Sequence, residues 1–263
     1  MKIALIDNTR VEAKPKQEAI CPCCFNPVIS KCGNQKVWHW AHKSLTNCDN
    51  WWEAETEWHR NWKDNFPIDW QERIQFDEKT NERHIADVLT IHNLVLEFQH
   101  SHIDPIERQK REKFYKNMIW VVDGTRLQKD YPRFQKKMGE FKLTKQQGVF
   151  LVDFVDEAFP KSWLKSSVPV IFDFKGLSGD ESDQYKTILW CLLPQTDSFS
   201  GLIVGFKKSD FIQIVKSRGQ LFADRTESQE EKVTKINQLQ INFAKRESIY
   251  YLQKGRWVKR GRL

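Results

Sequence analysis

The stretch that decides the fold is residues 83–99, RHIADVLTIHNLVLEFQ. It predicts two strands, one over residues 83–91, which is rich in β-branched side chains, and one over residues 94–99, which is apolar apart from Glu97. His92 and Asn93 lie between the two strands. This connection is short enough for a hairpin turn, because asparagine tolerates a positive φ.

Three polar residues in this stretch, Asp87, Glu97 and Gln99, are candidates for a site. Glu97 and Gln99 share a face because strand side chains alternate, and pairing of the strands brings Asp87 and Glu97 together at one end. A charged Glu97 between Leu96 and Phe98 costs several kcal/mol if it is left unpaired. Two close carboxylates repel unless a cation joins them, and Mg²⁺ prefers oxygen ligands. The pattern therefore predicts a divalent-metal site.

The segment before these strands predicts a helix over residues 51–65, ended by Pro67. Glu55, His59 and Lys63 fall at i, i+4 and i+8, so they form one stripe along it. In a nuclease such a Glu could complete the metal shell, and a His or Lys could orient the attacking water or neutralise phosphate charge. Taken alone, such a stripe is usually a solvated, salt-bridged helix face.

The rest of the chain predicts a mixed α+β protein. Pro105 opens a charged helix over residues 105–116, and residues 118–122 form a strand buried on both faces. The predicted order in this part is helix, strand, strand, strand, helix, strand. Weaker patterns predict strands at residues 149–155, 168–174, 187–193 and 201–206, a helix around residues 211–215 and a helix-prone stretch over residues 227–251.

The cysteines indicate a small metal-binding module that follows a hairpin of residues 3–6 and 11–13. Five of the six cysteines lie between positions 21 and 48. Cys21, Cys24, His39 and His42 form C-x2-C-x14-H-x2-H, two close pairs of ligands that suit tetrahedral, structural Zn²⁺. The surplus residues Cys23, Cys32 and Cys48 leave the ligand set open. The alternative is buried free thiols with surface histidines.

Composition sets the limits on location and partners. Lys and Arg outnumber Asp and Glu by 42 to 35, an excess that permits nucleic-acid binding without establishing it. No apolar run reaches about 18 residues, and the first 16 residues do not resemble a signal peptide. We therefore expect a cytoplasmic protein without a membrane partner, in which cysteines are thiols or metal ligands.

A basic segment near the end of the sequence is a candidate nucleic-acid contact. Arg256, Trp257, Lys259 and Arg260 could stack on bases and neutralise a single-stranded backbone. The alternative is a merely solubilising terminus.

Five motifs then stand in a fixed order. They are CPCC with HWAH at residues 21–24 and 39–42, ETEWHRNWK at 55–63, RHIADV at 83–88, LEFQHSHI at 96–103 and REKFYKNMIWVVDG at 111–124. Together they resemble the CoiA competence-protein family, a branch of the PD-(D/E)xK nuclease superfamily. The resemblance covers roughly residues 18–124.

We expect three parts: an N-terminal hairpin and zinc-binding module over residues 1–50, a nuclease core over residues 51–125, and a C-terminal α/β region over residues 126–263. For the core, the resemblance implies the element order αβββαβ. It also implies a DNA nuclease that uses Mg²⁺ or Mn²⁺. The residues it nominates are Glu55, His59, Lys63, Asp87, Glu97 and Gln99 for catalysis, with Arg111 and Tyr115 in support. The metal ligands would be Asp87, Glu97 and the carbonyl of Phe98.

One departure from the superfamily pattern concerns the lysine that usually follows the glutamate, since Gln99 stands there. An amide carries no charge, so it cannot stabilise an anionic nucleophile as lysine does. We hypothesise that Lys63 substitutes from the helix. The competing functional hypothesis is a DNA-binding recombination accessory protein without catalysis, and a weaker one is a defence effector. Recombination or defence proteins are the further partners we expect.

Overall fold

The structure is a computed structural model, and it describes residues 1–44, 48–51, 53–146, 148–178, 182–195 and 199–221, with the backbone alone for residues 250–253 and 256–259. The described residues form a mixed α+β protein, as the sequence predicts. They build a five-stranded sheet, a nine-stranded sheet and a two-stranded sheet, with four α-helices.

The five-stranded sheet contains the N-terminal module. Its strands are β1 (Ile3–Ile6), β2 (Thr9–Glu12), β3 (Glu18–Ile20), β4 (Pro27–Lys31) and β5 (His39–His42), in the spatial order β2-β1-β3-β4-β5. All neighbours are antiparallel. Asp7 and Asn8 have φ values of 49° and 60°, as a two-residue hairpin turn requires. The hairpin is confirmed, with its second strand starting two residues before the prediction.

The nine-stranded sheet has the spatial order β10-β11-β14-β13-β12-β9-β8-β7-β6. The strands are β6 (Gln71–Asp77), β7 (Glu82–Leu89), β8 (Val95–Gln99), β9 (Met118–Asp123), β10 (Lys142–Leu143), β11 (Val149–Asp153), β12 (Val170–Asp173), β13 (Ile188–Leu192) and β14 (Ser200–Lys207). The helices are α1 (Glu57–Lys63), α2 (Pro105–Tyr115), α3 (Asp130–Met138) and α4 (Lys208–Ser217). The two-stranded sheet joins β15 (Tyr250–Gln253) to β16 (Arg256–Lys259).

Residues 57–123 run in the order α1, β6, β7, β8, α2, β9, which is the predicted αβββαβ order. Strands β6, β7 and β8 are antiparallel neighbours, and β9 pairs with β8 in parallel. A parallel neighbour needs a crossover, and α2 supplies it. The β7–β8 hairpin turns at Asn93, which has φ 57°. The first of the three strands, β6, has no bounds in the sequence prediction.

Helix α1 is shorter than predicted, because a capping box fixes its start. The Thr56 side chain accepts the backbone N–H of His59, and the His59 side chain accepts the backbone N–H of Thr56. This reciprocal pair satisfies free donors at the first turn and ends the extended segment before it. Glu55 therefore lies just outside the helix, and residues 51 and 53–56 are not helical.

The large sheet continues past residue 125, where the sequence prediction puts a domain boundary. Strand β9 pairs in parallel with β12, so that Trp120 lies opposite Val170 and Asp123 opposite Asp173. Leu96 of β8 packs in one buried cluster with residues of β12 and β14. The strands on the two sides of that boundary therefore share one sheet and one core.

The predicted strands of the C-terminal half correspond to β11, β12, β13 and β14, and the predicted helix around residues 211–215 corresponds to α4. Most of the helix-prone stretch, residues 227–249, lies outside the described residues. For residues 250 and 251 the helix prediction is wrong, because they belong to strand β15. None of the helices formed by the described residues has the length and apolar composition that a bilayer-spanning helix requires.

Candidate active site and metal centre

Asp87 of β7 and Glu97 of β8 line the same cavity. The backbone N–H of Asp87 donates to Glu97 Oε1 at 3.2 Å, and the backbone N–H of Phe98 donates to Asp87 Oδ2 at 2.9 Å. Each carboxylate therefore holds the strand that carries the other. The two predicted acidic residues are brought together, and glutamate, histidine and lysine side chains from α1 and its approach face them.

Lys63, in the last turn of α1, is buried among three carboxylates. Its Nζ lies 2.9 Å from Asp87 Oδ1, 3.0 Å from Glu72 Oε1 and 3.5 Å from Glu55 Oε1. Burial by itself would lower the pKa of Lys63, but the carboxylates, with Asp87 first, outweigh it and hold that pKa well above its ordinary value. Lys63 is therefore a fixed positive charge beside Asp87.

Glu72, in β6, links this lysine to the N-terminal sheet. Its Oε1 accepts the backbone N–H of Lys2 at 2.7 Å, and its Oε2 accepts that of Ile3 at 2.9 Å. Burial would raise the pKa of Glu72, yet the Lys63 charge and these backbone donors lower it to about 2. The backbone of Glu72 has φ 47°, a strained conformation for a residue other than glycine. The surrounding contacts maintain this conformation, and they tie β1 to the cavity.

Glu97 is almost fully buried, and its surroundings disfavour the charged form of its carboxyl group. Burial and the negative charge of Asp87 raise the pKa of Glu97 to about 8, although Arg111 of α2 counteracts them. Arg111 Nη1 lies 3.2 Å from Glu97 Oε2, and its Nη2 donates to the carbonyl of Trp51 at 2.6 Å. A further cation in the cavity would therefore stabilise the ionised form of Glu97.

His59 holds the backbone carbonyl of Phe98. Its Nδ1 accepts the N–H of Thr56 at 3.2 Å, so its Nε2 carries the proton and donates to Phe98 O at 3.0 Å. Glu53 lies 3.7 Å from the same Nε2, through its Oε2, and accepts the N–H of Ser101. One lone pair of the Phe98 carbonyl remains for another partner, since a carbonyl oxygen has two.

Two nominated residues do not line the cavity. The amide of Gln99 donates to Ser101, to the carbonyl at 3.2 Å and to Oγ at 3.3 Å. Tyr115 packs edge-on against Trp51, with ring centroids 6.0 Å apart, and burial raises its pKa well above the ordinary value. Their side chains therefore support the wall of the site.

Sequence reasoning missed other groups that line the cavity: Asp49, Glu53 and Glu72. Asp49 accepts the Nδ1–H of His84 and the backbone N–H of Ile85, which anchors the end of the N-terminal module to β7. A signal existed for Glu53, which stands two residues before Glu55 in the same extended segment. No local pattern pointed to Glu72, because its backbone partners, Lys2 and Ile3, lie 70 and 69 residues away in sequence.

The donor set of the cavity fits a hard divalent cation. Two carboxylates and a carbonyl, from Asp87, Glu97 and Phe98, are oxygen ligands of the kind that Mg²⁺ and Mn²⁺ prefer. The raised pKa of Glu97 records an unfavourable charge there, which a bound cation would relieve. One oxygen of each carboxylate also has a cationic partner, because Lys63 Nζ lies 2.9 Å from Asp87 Oδ1 and Arg111 Nη1 lies 3.2 Å from Glu97 Oε2.

The cysteine cluster holds a second candidate metal site, with one correction to its ligands. Ligand atoms of Cys21, Cys24, His42 and Cys48 all lie within 4.8 Å of one another. This Cys₃His set could bind a metal such as zinc. Cys24 Sγ lies 3.2 Å from His42 Nε2, and Cys21 Sγ lies 3.6 Å from Cys48 Sγ.

His39, a predicted ligand, is not in this set. It stands three residues before His42 in β5, and residues an odd number apart on a strand point to opposite faces. Its Nδ1 is within hydrogen-bond distance of the carbonyl of Val37, at 2.8 Å. Cys48 replaces it, so the ligands follow C-x2-C-x17-H-x5-C. A signal existed in the surplus of cysteines around positions 21–48.

The predicted nucleic-acid contacts lie in or beyond β16. Arg256, Trp257 and Lys259 form part of that strand, of which the structure describes the backbone alone, and Arg260 lies outside the described residues. That assignment stays a prediction.

Comparison with known proteins identifies a family to which the N-terminal part of the chain is similar. Residues 5–50 match the family model described as competence protein CoiA, N-terminal domain. This range contains all four residues of the Cys₃His set. No curated protein and no solved structure matches the chain.

Proposed function

We propose that the chain, whose residues 5–50 match the N-terminal domain of competence protein CoiA, is a Mg²⁺- or Mn²⁺-dependent DNA nuclease of the PD-(D/E)xK type. The observation that carries the proposal is the convergence of Asp87, Glu97 and Lys63 on one cavity. The αβββαβ order of residues 57–123 supports it, because the resemblance implies that core. The match itself supports a role connected with competence.

The cation would be held by Asp87, Glu97 and the carbonyl of Phe98. Glu55 Oε1 lies 3.5 Å from Lys63 Nζ, so its negative charge would partly offset the positive charge of Lys63 beside the cation. When bound, such a cation lowers the pKa of a water molecule and stabilises the leaving oxygen of a phosphodiester. The chain's own residues would orient the ligands of this cation. His59 fixes the direction of the Phe98 carbonyl, and the backbone N–H of Phe98 fixes the Asp87 carboxylate.

Lys63 would supply the positive charge that the usual lysine of this superfamily provides. Its ammonium is held by three carboxylates and stays protonated at neutral pH. From that place it can orient a water molecule or neutralise a phosphate oxygen. Gln99 would not take this role, because its amide is bound to Ser101.

For the Cys₃His set we propose structural Zn²⁺, since four protein ligands leave no open position for water. None of the six cysteines forms a disulfide, so Cys21, Cys24 and Cys48 are available to bind zinc as thiolates. DNA is the proposed substrate partner, and recombination or defence proteins are the proposed further partners.

The decisive experiment incubates the protein with linear, circular and single-stranded DNA in Mg²⁺, Mn²⁺ or EDTA. Asp87→Asn and Glu97→Gln should each lower metal-dependent cleavage on the order of 100-fold or more, because losing a metal ligand removes several kcal/mol of transition-state stabilisation. Glu82→Gln is the matched control, since Glu82 is an exposed acid on the same strand as Asp87. It should cleave like the unaltered protein.

Two outcomes would overturn the proposal. Cleavage that persists in both active-site variants would come from another site or from a contaminant. Binding of DNA without cleavage under any of the metals would assign the chain to the accessory class of DNA-binding proteins.

A further inference from the structure

Asp173, at the end of β12, is a buried carboxylate surrounded by donors. Its Oδ2 accepts the indole N–H of Trp58 at 3.1 Å and that of Trp62 at 2.9 Å. Its Oδ1 accepts the backbone N–H of Lys175 at 3.1 Å and that of Gly176 at 3.0 Å. The two indoles come from α1, more than 100 residues earlier in the chain.

Helix α1 has two neighbouring stripes, and Asp173 binds one of them. Trp58 and Trp62 stand at i and i+4, and His59 and Lys63 follow each by one residue. Since consecutive residues on a helix are about 100° apart, fixing the first stripe fixes the rotation that presents the second. The first stripe faces Asp173, and the second faces the cavity.

The same helix clamps Phe98, the residue whose carbonyl is a candidate metal ligand. The Phe98 ring stacks on Trp62 with centroids 5.6 Å apart and meets Trp58 edge-on at 6.4 Å. The Phe98 carbonyl accepts from His59. A turn of α1 about its axis would therefore move the ring and the carbonyl of Phe98 together.

We propose that Asp173 is a positioning residue for the active site, which sets the rotation of α1 through the two indole N–H groups and so places His59 and Lys63. The inference rests on the proposed function for its consequence in catalysis. It also gives the C-terminal half of the large sheet a part in the site, since β12 lies beyond the αβββαβ core.

The chemistry of the contact requires a carboxylate. Four N–H donors point at its two oxygens, and a carboxylate is an acceptor alone. In Asp173→Asn the carboxamide keeps one oxygen and gains an NH₂ group, which must then face either the two indoles or the two backbone donors. The variant thus turns a matched set of hydrogen bonds into a donor–donor clash with little change of shape.

The test compares Asp173→Asn with the unaltered protein in two ways. Proton–nitrogen NMR of side chains reads the indole N–H signals of Trp58 and Trp62 and the protonated nitrogen of His59. Cleavage kinetics in Mg²⁺ give kcat and KM. We expect shifted indole signals, loss of the Nε2–H form of His59 and a fall in kcat of about 100-fold with KM for DNA little changed, because small misplacements of catalytic groups cost that much.

Asp183→Asn is the matched control, because Asp183 accepts the Tyr131 hydroxyl at 2.6 Å in the same half of the chain and does not contact α1. It should leave the His59 signal and kcat unchanged. If Asp173→Asn does not fold, Trp62→Phe keeps a buried ring, deletes one indole donor and should move the His59 signal in the same direction.

Shifted indole signals with an unaltered His59 and an unaltered kcat would overturn the inference, because Asp173 would then stabilise the fold without positioning the site. If the unaltered protein does not cleave DNA, the proposed function fails. The His59 measurement still decides whether Asp173 positions α1, so the two failures are distinguishable.

Discussion

Lys63 donates a 3.0 Å hydrogen bond to Glu72, and the same carboxylate accepts the backbone N–H groups of Lys2 and Ile3. One buried ion pair therefore connects the proposed catalytic lysine to the N-terminal sheet. The strained backbone of Glu72 is consistent with a position that its contacts determine. The N-terminal module thus forms part of the wall of the cavity.

Removing the charge of Lys63 should destabilise the protein strongly. Lys63→Met leaves Asp87, Glu72 and Glu55 without their shared cation, which costs about 3–5 kcal/mol for a buried pair broken on one side. Urea denaturation at neutral pH measures this loss in the free energy of unfolding. Lys43→Met is the control, because Lys43 forms an exposed pair with Glu18 and should change stability by less than about 1 kcal/mol. Equal losses in both variants would contradict the burial argument.

Stability should also depend on pH through Glu97. Its pKa is raised to about 8 from its ordinary value of 4.5, so the folded state holds a proton that the unfolded chain releases at lower pH. The stabilisation is fully present below about pH 4.5 and is lost as the pH rises through about 8. Glu97→Gln should remove this part of the decline, measured by urea denaturation at several pH values. An unchanged slope in that variant would assign the decline to other groups.

Binding of Mg²⁺ should release a proton from Glu97 near neutral pH. At pH 7 a carboxyl with pKa about 8 is mostly protonated, and it must ionise to ligate a cation. Isothermal titration in buffers of different ionisation enthalpy measures the number of protons released. We expect close to one proton for the unaltered protein and none for Glu97→Gln. Heats that are independent of the buffer in the unaltered protein would rule out this linkage.

The zinc ligands can be separated by a pair of variants. Cys48→Ser should lose bound zinc or bind it on the order of 10–100-fold more weakly, because it removes a thiolate from the Cys₃His set. His39→Ala should retain zinc, because His39 is held by the carbonyl of Val37 outside that set. Elemental analysis of the purified proteins gives the zinc content. The opposite pattern would restore His39 as a ligand.

Gln99 should matter little for chemistry. Gln99→Ala deletes an amide that binds Ser101 beside the cavity, so we expect cleavage to fall by less than about 10-fold. Lys63→Ala, in contrast, should fall on the order of 100-fold, because it removes a fixed charge from the cavity. Metal-dependent cleavage rates under identical conditions compare the two variants. A larger effect of Gln99→Ala would return the catalytic role to that residue.

Much of the central fold was predictable from the sequence, because it depends on local periodicity. The β-branched and apolar runs within residues 83–99 predicted two strands, and Asn93 predicted the turn that reverses the chain between them. With the register fixed by that short turn, Asp87 and Glu97 had to approach each other. Both line one cavity, as the pattern indicated.

Other features depended on contacts that no local pattern contains. Helix α1 begins at Glu57 and not at the predicted residue 51, because the Thr56 capping box fixes its first turn in spite of the apolar periodicity of the preceding segment. The predicted domain boundary at residue 125 lies inside one sheet. The reason is that β12 lies between β9 and β13 and pairs in parallel with β9, across about 50 residues of sequence.

The sequence by itself determined the order of the elements around the site and the types of side chain that meet there, since period and turn chemistry are properties of neighbouring residues. Only the tertiary structure brings Glu72 to the cavity, places Asp173 against Trp58 and Trp62 of α1, and puts Cys48 in place of His39 in the Cys₃His set. Those contacts join residues distant along the chain, and burial of apolar surface, which is indifferent to sequence separation, brings them together.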